Sequence, residues 1–150
     1  LEGLTSRLIS KLDEFWTAGL PDIVLGQGDT TTAFTAALVA FYKRIPFGHV
    51  EAGLRSGNID SPYPEEMNRL LAARLATLHF APTVRAVEAL LREGIPRETI
   101  HLTGNTVIDT LKDTVDRSPP STAARGEVRR ILLTTHRREN FGGPMAGVFG

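Results

Sequence analysis

The chain has 150 residues, 41% hydrophobic and 23% charged, which suits a soluble globular domain with a real core. Seventeen basic residues balance seventeen acidic ones, so no global field draws the chain to nucleic acid or to a membrane surface. Cysteine is absent, which excludes disulfides and thiolate metal sites and fits a reducing compartment, and no apolar run approaches the ~20 residues of a membrane span. Leu4, Leu8, Ile9, Leu12, Phe15 and Trp16 recur at helical spacing and predict an amphipathic helix over 2–18, stopped by Gly19 and Pro21. Residues 22–28 (Asp-Ile-Val-Leu-Gly-Gln-Gly) read as a short buried strand. A near-continuously apolar helix follows to Tyr42, with Asp29 near its N-cap, and is expected to be packed on most sides.

A second strand over 45–50 runs into Gly48-His49-Val50-Glu51-Ala52-Gly53-Leu54-Arg55, where the chain turns polar within three residues. A loop stiffened by Gly57, Pro62 and Pro64 leads to a helix with Pro64 at its first position. Glu65 and Glu66 fall in its first turn, and Met67, Leu70, Leu71 and Leu75 form its expected apolar face. Residues 78–82 give a third strand. Thr83 caps a helix with Val87, Leu90 and Leu91 inward and Gly94 at its end. Residues 99–102 make a fourth strand, and Gly104-Asn105 opens a helix carrying Val107, Ile108 and Leu111. Residues 116–127 have linker composition, and residues 130–135 start a new buried strand that ends in His136-Arg137-Arg138-Glu139-Asn140. The alternation of strand and helix predicts an α/β fold with a doubly wound parallel sheet, Rossmann-like. Both ends of the chain read as internal to a longer protein.

Four polar clusters follow strands or open helices: Gly28-Asp29-Thr30-Thr31-Thr32, His49 to Arg55, Pro64 to Arg69, and His136 to Asn140. Strand-end clusters of one parallel sheet converge on one edge, where ligands bind. Each cluster also has a plainer reading. Asp29 could be only a helix cap, and Glu51 a solvated loop residue paired with Arg55. Glu65 and Glu66 could be only partners of the helix dipole, and His136 a surface imidazole. Carboxylates in such a crevice act as acids, bases or cation stabilisers, and His and Arg neutralise a departing phosphate. No metal-ligand spacing appears, Gly26-Gln27-Gly28 lacks the third glycine of a dinucleotide fingerprint and no P-loop lysine follows it, so neither a metal nor a nicotinamide cofactor is expected.

Six segments together resemble one family, the bacterial non-hydrolysing UDP-N-acetylglucosamine 2-epimerases. They are Gln-Gly-Asp-Thr-Thr-Thr at 27–32, Gly-His-Val-Glu-Ala-Gly-Leu-Arg at 48–55, Ser-Pro-Tyr-Pro-Glu-Glu-Met-Asn-Arg at 61–69, His-Phe-Ala-Pro-Thr at 79–83, Thr-Gly-Asn-Thr-Val-Ile-Asp at 103–109 and Thr-His-Arg-Arg-Glu-Asn-Phe-Gly at 135–142. Tyr63 stands where the family pattern has Trp. The resemblance implies a glycosyltransferase-B architecture. Residues 1–115 would be the later part of its N-terminal Rossmann-like domain, 116–127 the linker and 128–150 the truncated start of the C-terminal one.

The resemblance further implies interconversion of UDP-GlcNAc and UDP-ManNAc, by elimination and re-addition of UDP through a 2-acetamidoglucal, and an inactive fragment. Asp29, Glu51 and Glu65 become the catalytic carboxylates, and His136 the group beside the diphosphate. Gly28, Thr30, Arg55, Arg137, Glu139 and Asn140 become substrate-binding residues. Arg137 and Glu65 resemble residues near an allosteric second UDP-GlcNAc. A cytoplasmic homodimer without a cofactor, serving polysaccharide biosynthesis, is the implied setting. A hydrolysing 2-epimerase, a glycosyltransferase and a nucleotide-sugar sensor remain as alternatives at this point.

Overall fold

A computed structural model describes residues 1–119, and contacts divide the chain into Leu1–Asp116 and Arg117–Gly150. The described residues form an α/β fold: helix α1 (Glu2–Thr17), strand β1 (Val24–Gln27), α2 (Thr31–Tyr42), β2 (Phe47–Val50), α3 (Glu65–Leu75), β3 (Leu78–Ala81), α4 (Val84–Arg92), a 3-10 turn (Arg97–Thr99), β4 (Ile100–Leu102) and α5 (Thr106–Arg117). The four strands are all parallel and lie in the order β1-β2-β3-β4, each crossover carrying a helix, as the alternating pattern predicts. The expected strand over 130–135 and most of the expected linker lie outside the described residues.

Two apolar clusters anchor the helices to one face of the sheet. Trp16 of α1, Ala37, Val39 and Ala40 of α2, Ile45 and Phe47 form one. Ala73, Ala81, Ala86, Val87, Leu90, Ile95 and Ile100, with Ala52, form the other. Small residues dominate because helices must lie close to β-strands. Gly26 is an instance within the sheet: an added Cβ would meet the Phe47 ring at 2.4 Å.

Several expectations need correction. Strand β1 is not buried. It is an edge strand of the described sheet, covered by α2 on one face only, so Leu25 on the other face is 62% exposed. Helix α2 buries Ala33, Thr35, Ala37, Val39 and Ala40, but leaves Phe41 and Tyr42 exposed at its end. Pro64 is the residue before α3 rather than its first position. The face α3 buries is Glu66, Asn68, Ala72 and Ala73, while Leu71 faces out. Leu91 also turns outward at the end of α4. The Thr83 cap holds: its Oγ1 accepts the Ala86 N–H at 3.1 Å.

Candidate active site

The site forms where β1 and β2 end. The ladder continues one step past β1, with Gly28 N–H donating to Val50 O at 3.0 Å, and Gly28 then takes a positive φ of 78°. That turn releases Asp29 from the sheet. Asp29 is not the cap of α2. Thr30 is, its Oγ1 accepting the Ala33 N–H at 3.2 Å. The Asp29 carboxylate instead accepts from Arg69 of α3, and the Asp29 carbonyl accepts from Asn68 Nδ2 at 2.8 Å.

Glu51 follows β2 directly. Its φ of +66° is rare for a non-glycine residue, and such outliers persist only where surrounding structure holds them. Here Ala52 N–H is fixed to Phe80 O at 3.0 Å, and Gly53 packs so close to α4 that an added Cβ would lie 2.4 Å from Ala86 O. The strained turn leaves Glu51 half-buried, with Oε1 accepting from Asn105 Nδ2 at 3.1 Å. Its other oxygen lies 3.7 Å from the Cβ position of Gly28, within van der Waals contact of that turn. Gly28, Asp29 and Glu51 are thus neighbours.

Arg55 does not pair with Glu51. Its guanidinium grips Glu93 at the end of α4 with two bonds, 2.7 and 2.9 Å, and donates to Leu54 O. Glu65 is half-buried in the first turn of α3 and, among the described residues, makes no hydrogen bond or ion pair. Its neighbour Glu66 is 1% exposed. Glu66 Oε1 accepts the N–H groups of Ser56 and Gly57 at 3.0 and 3.1 Å, and Oε2 accepts from Arg69 at 3.1 Å. His136, Arg137, Glu139 and Asn140 lie outside the described residues.

His49, inside the second polar cluster but without an assigned role, is 1% exposed and bonds the Gly28 carbonyl through Nε2 at 2.8 Å. Burial holds its imidazole below the ordinary value, against the opposing pull of that bond. The neutral ring, its Nε2–H on a carbonyl, pins the turn that presents Asp29. A histidine in the middle of a strand otherwise buried at Phe47 and Gly48 is the sequence signal for this role. Glu66 and Arg69 stand at i, i+3, a spacing that puts both on one helix face. Asn105 was legible only as a helix opener. Among the described residues no group of three or more His, Asp or Glu is placed to hold a metal ion, and no helix is long and apolar enough to cross a membrane.

Two half-buried carboxylates on adjacent strand ends, one braced by an arginine and one by an amide, make a site able to move a proton or face a developing positive charge. The model of the UDP-N-acetylglucosamine 2-epimerase family matches residues 1–149. The chain belongs to that family. The UDP-N-acetylglucosamine 2-epimerase of Bacillus subtilis is 51% identical over 151 residues, covering 99% of this chain and 40% of the relative. Among solved structures, a complex of S. aureus MnaA with UDP superposes with a TM-score of 0.92 at 48% identity, covering 99% of this chain and 41% of that one. The Neisseria meningitidis UDP-GlcNAc 2-epimerase bound to UDP-GlcNAc matches with a TM-score of 0.75 at 48% identity, over 77% of this chain and 32% of that one. The chain therefore spans about two fifths of the length of the curated epimerase it matches.

Proposed function

We propose that the protein containing this chain interconverts UDP-N-acetylglucosamine and UDP-N-acetylmannosamine. The observation that carries this reading is the strained Glu51 set beside Gly28 and Asp29, on a chain of the epimerase family. In the proposed reaction a carboxylate takes the C2 proton while the C1–O bond breaks and its electron pair leaves with UDP. A 2-acetamidoglucal remains. UDP adds back at C1 as C2 is protonated on the opposite face. No carbonyl activates the C2 proton, so leaving-group departure carries much of the barrier, and carboxylates that stabilise positive charge on the ring suit that demand.

Asp29, Glu51 and Glu65 are the proposed catalytic carboxylates, with His136 beside the diphosphate. Gly28, Thr30, Arg55, Arg137, Glu139 and Asn140 are proposed to bind substrate. Of these, Thr30 also caps α2 and Arg55 is held by Glu93, so both would act through structure they already maintain. The relatives' greater length supports a longer whole; in this proposal it has two domains, residues 1–115 and 128–150 belong to different ones, and residues 1–150 alone do not turn over. A homodimer, an allosteric second UDP-GlcNAc near Arg137 and Glu65, and a cytoplasmic setting complete the proposal.

The test is turnover of UDP-GlcNAc by the full-length protein in heavy water, followed by proton NMR. Epimerisation should leave deuterium at C2 of the product. Asp29→Asn, Glu51→Gln and Glu65→Gln should each slow turnover by ~10²–10⁴ if they transfer the proton. A carboxylate that only stabilises charge should slow UDP departure while the rare turnovers keep the label. Free UDP with free ManNAc would mark a hydrolysing enzyme instead, and three variants at parental rates would overturn the site.

A further inference from the structure

The α3 helix grips Asp29 at both ends with consecutive side chains. Asn68 Nδ2 holds the Asp29 carbonyl at 2.8 Å, and Arg69 holds carboxylate oxygen Oδ2. Among the described residues the other carboxylate oxygen makes no hydrogen bond. A purely structural arginine here would need only its partner Glu66, three residues earlier on the same helix at 3.1 Å. Arg69 instead divides its guanidinium between a fully buried carboxylate and a half-buried one, at side-chain exposures of 2% for Glu66 and 30% for Asp29. Its third guanidinium nitrogen, Nε, is buried without a hydrogen-bond partner among the described residues. Arg69 thus bridges the two acids, its Nη1 on Glu66 and its Nη2 on Asp29.

We propose that Arg69, anchored on buried Glu66, is a positioning residue for Asp29, fixing the carboxylate where the sugar ring reacts. The inference rests on the epimerase reading above and extends it to two residues to which that reading assigns no role. Glu66 supplies the rigidity. Its three donors, Ser56 N–H, Gly57 N–H and Arg69, tie the loop that follows the Glu51 turn to α3. Through Arg69 the same carboxylate sets the orientation of Asp29. The loops carrying Asp29 and Glu51 are therefore braced by one buried ion pair and stay in register with each other. The charged and titratable groups that face Asp29 are Arg69 of α3 and His49 of β2, with Glu66 behind Arg69 and Glu51 past Gly28. Arg69 is the cation in contact with it.

The test is a double-mutant cycle in the full-length protein with UDP-GlcNAc. Arg69→Met should lower kcat about 10²-fold, the cost of a slightly misplaced catalytic group, and leave KM within about threefold. Arg69→Lys, which returns a cation but not the fork, should recover at least about tenfold of that loss. On an Asp29→Asn background, Arg69→Met should cost less than about threefold, because the group it positions is already gone. If Arg69→Met alone does not fold, the cycle is run from Glu66→Gln/Arg69→Met. That pair strands no buried charge and keeps an amide oxygen for the Ser56 and Gly57 N–H groups. Losses that multiply across the cycle, or a change confined to KM, would overturn the positioning role while leaving the epimerase reading intact. A parent that does not epimerise UDP-GlcNAc would remove both.

Discussion

Helices α2 and α3 pack against each other on the same sheet, yet they bury opposite chemistry. Helix α2 is capped by its own Thr30 and turns alanines, Thr35 and Val39 inward, with the Thr35 hydroxyl returned to Thr31 O at 2.7 Å. It is a wall. Helix α3 has no side-chain cap and buries Glu66 and Asn68 in its first turns, with apolar burial only from Ala72 onward. Its polar end lies against Asp29 and the Ser56–Gly57 loop. Apolar packing can be re-formed in many ways, whereas a buried carboxylate tolerates one arrangement of donors. The second kind of helix is therefore the one that can hold a catalytic group to a fixed place.

If that contrast is right, the largest stability effect should come from α3. Arg69→Met strands the Glu66 charge and should cost about 3–5 kcal/mol in urea unfolding of the full-length protein. Adding Glu66→Gln should recover more than half of that loss. A cost near zero would make α3 as forgiving as its neighbour. On α2, Ala37 is fully buried in the cluster that holds Trp16 and Phe47, and Ala37→Leu should cost about 1–3 kcal/mol by overpacking. Thr30→Ala should cost about 1 kcal/mol through the lost cap, read by the same unfolding curves. Equal costs for the cap and for the Arg69 change would erase the comparison.

The smallest effect sharpens it through pH. His49 is held neutral by burial, so its folded pKa lies below the ordinary 6.5 of the unfolded chain. The unfolded state then binds more protons, and stability falls as pH drops below about 6.5 towards the folded value. His49→Gln, whose amide can still donate to the Gly28 carbonyl, should flatten the fall in Tm between about pH 7 and pH 5. An unchanged slope would show that other groups set the acid side of the profile.

Much of the fold was legible from local pattern. The α1 helix, the Thr83 cap and the strand–helix alternation are short-range features and appear where the pattern puts them, although Leu4 and Phe15 of the α1 periodic set are exposed and Pro64 falls one residue before α3. The site was legible as a set of residues but not as a set of bonds. Asp29 and Glu51 could be named from strand ends, yet their partners, Arg69 and Asn105, are 40 and 54 residues away along the chain. The pairing of Glu51 with Arg55, a natural local guess, is replaced by Glu93, which is 38 residues distant from Arg55.

By itself, then, the amino-acid sequence determined the order of strands and helices, the polar clusters at strand ends and the family. These depend on periodicity, caps and short motifs, which neighbours along the chain specify. Only the tertiary structure decided that β1 is exposed on one face, that Thr30 and not Asp29 caps α2, and that Glu66 is buried while Glu65 is left half-exposed. Adjacent glutamates have the same local propensity. Which of them meets Ser56, Gly57 and Arg69 depends on the rotation of α3 against the sheet, and that rotation is set by all the contacts at once.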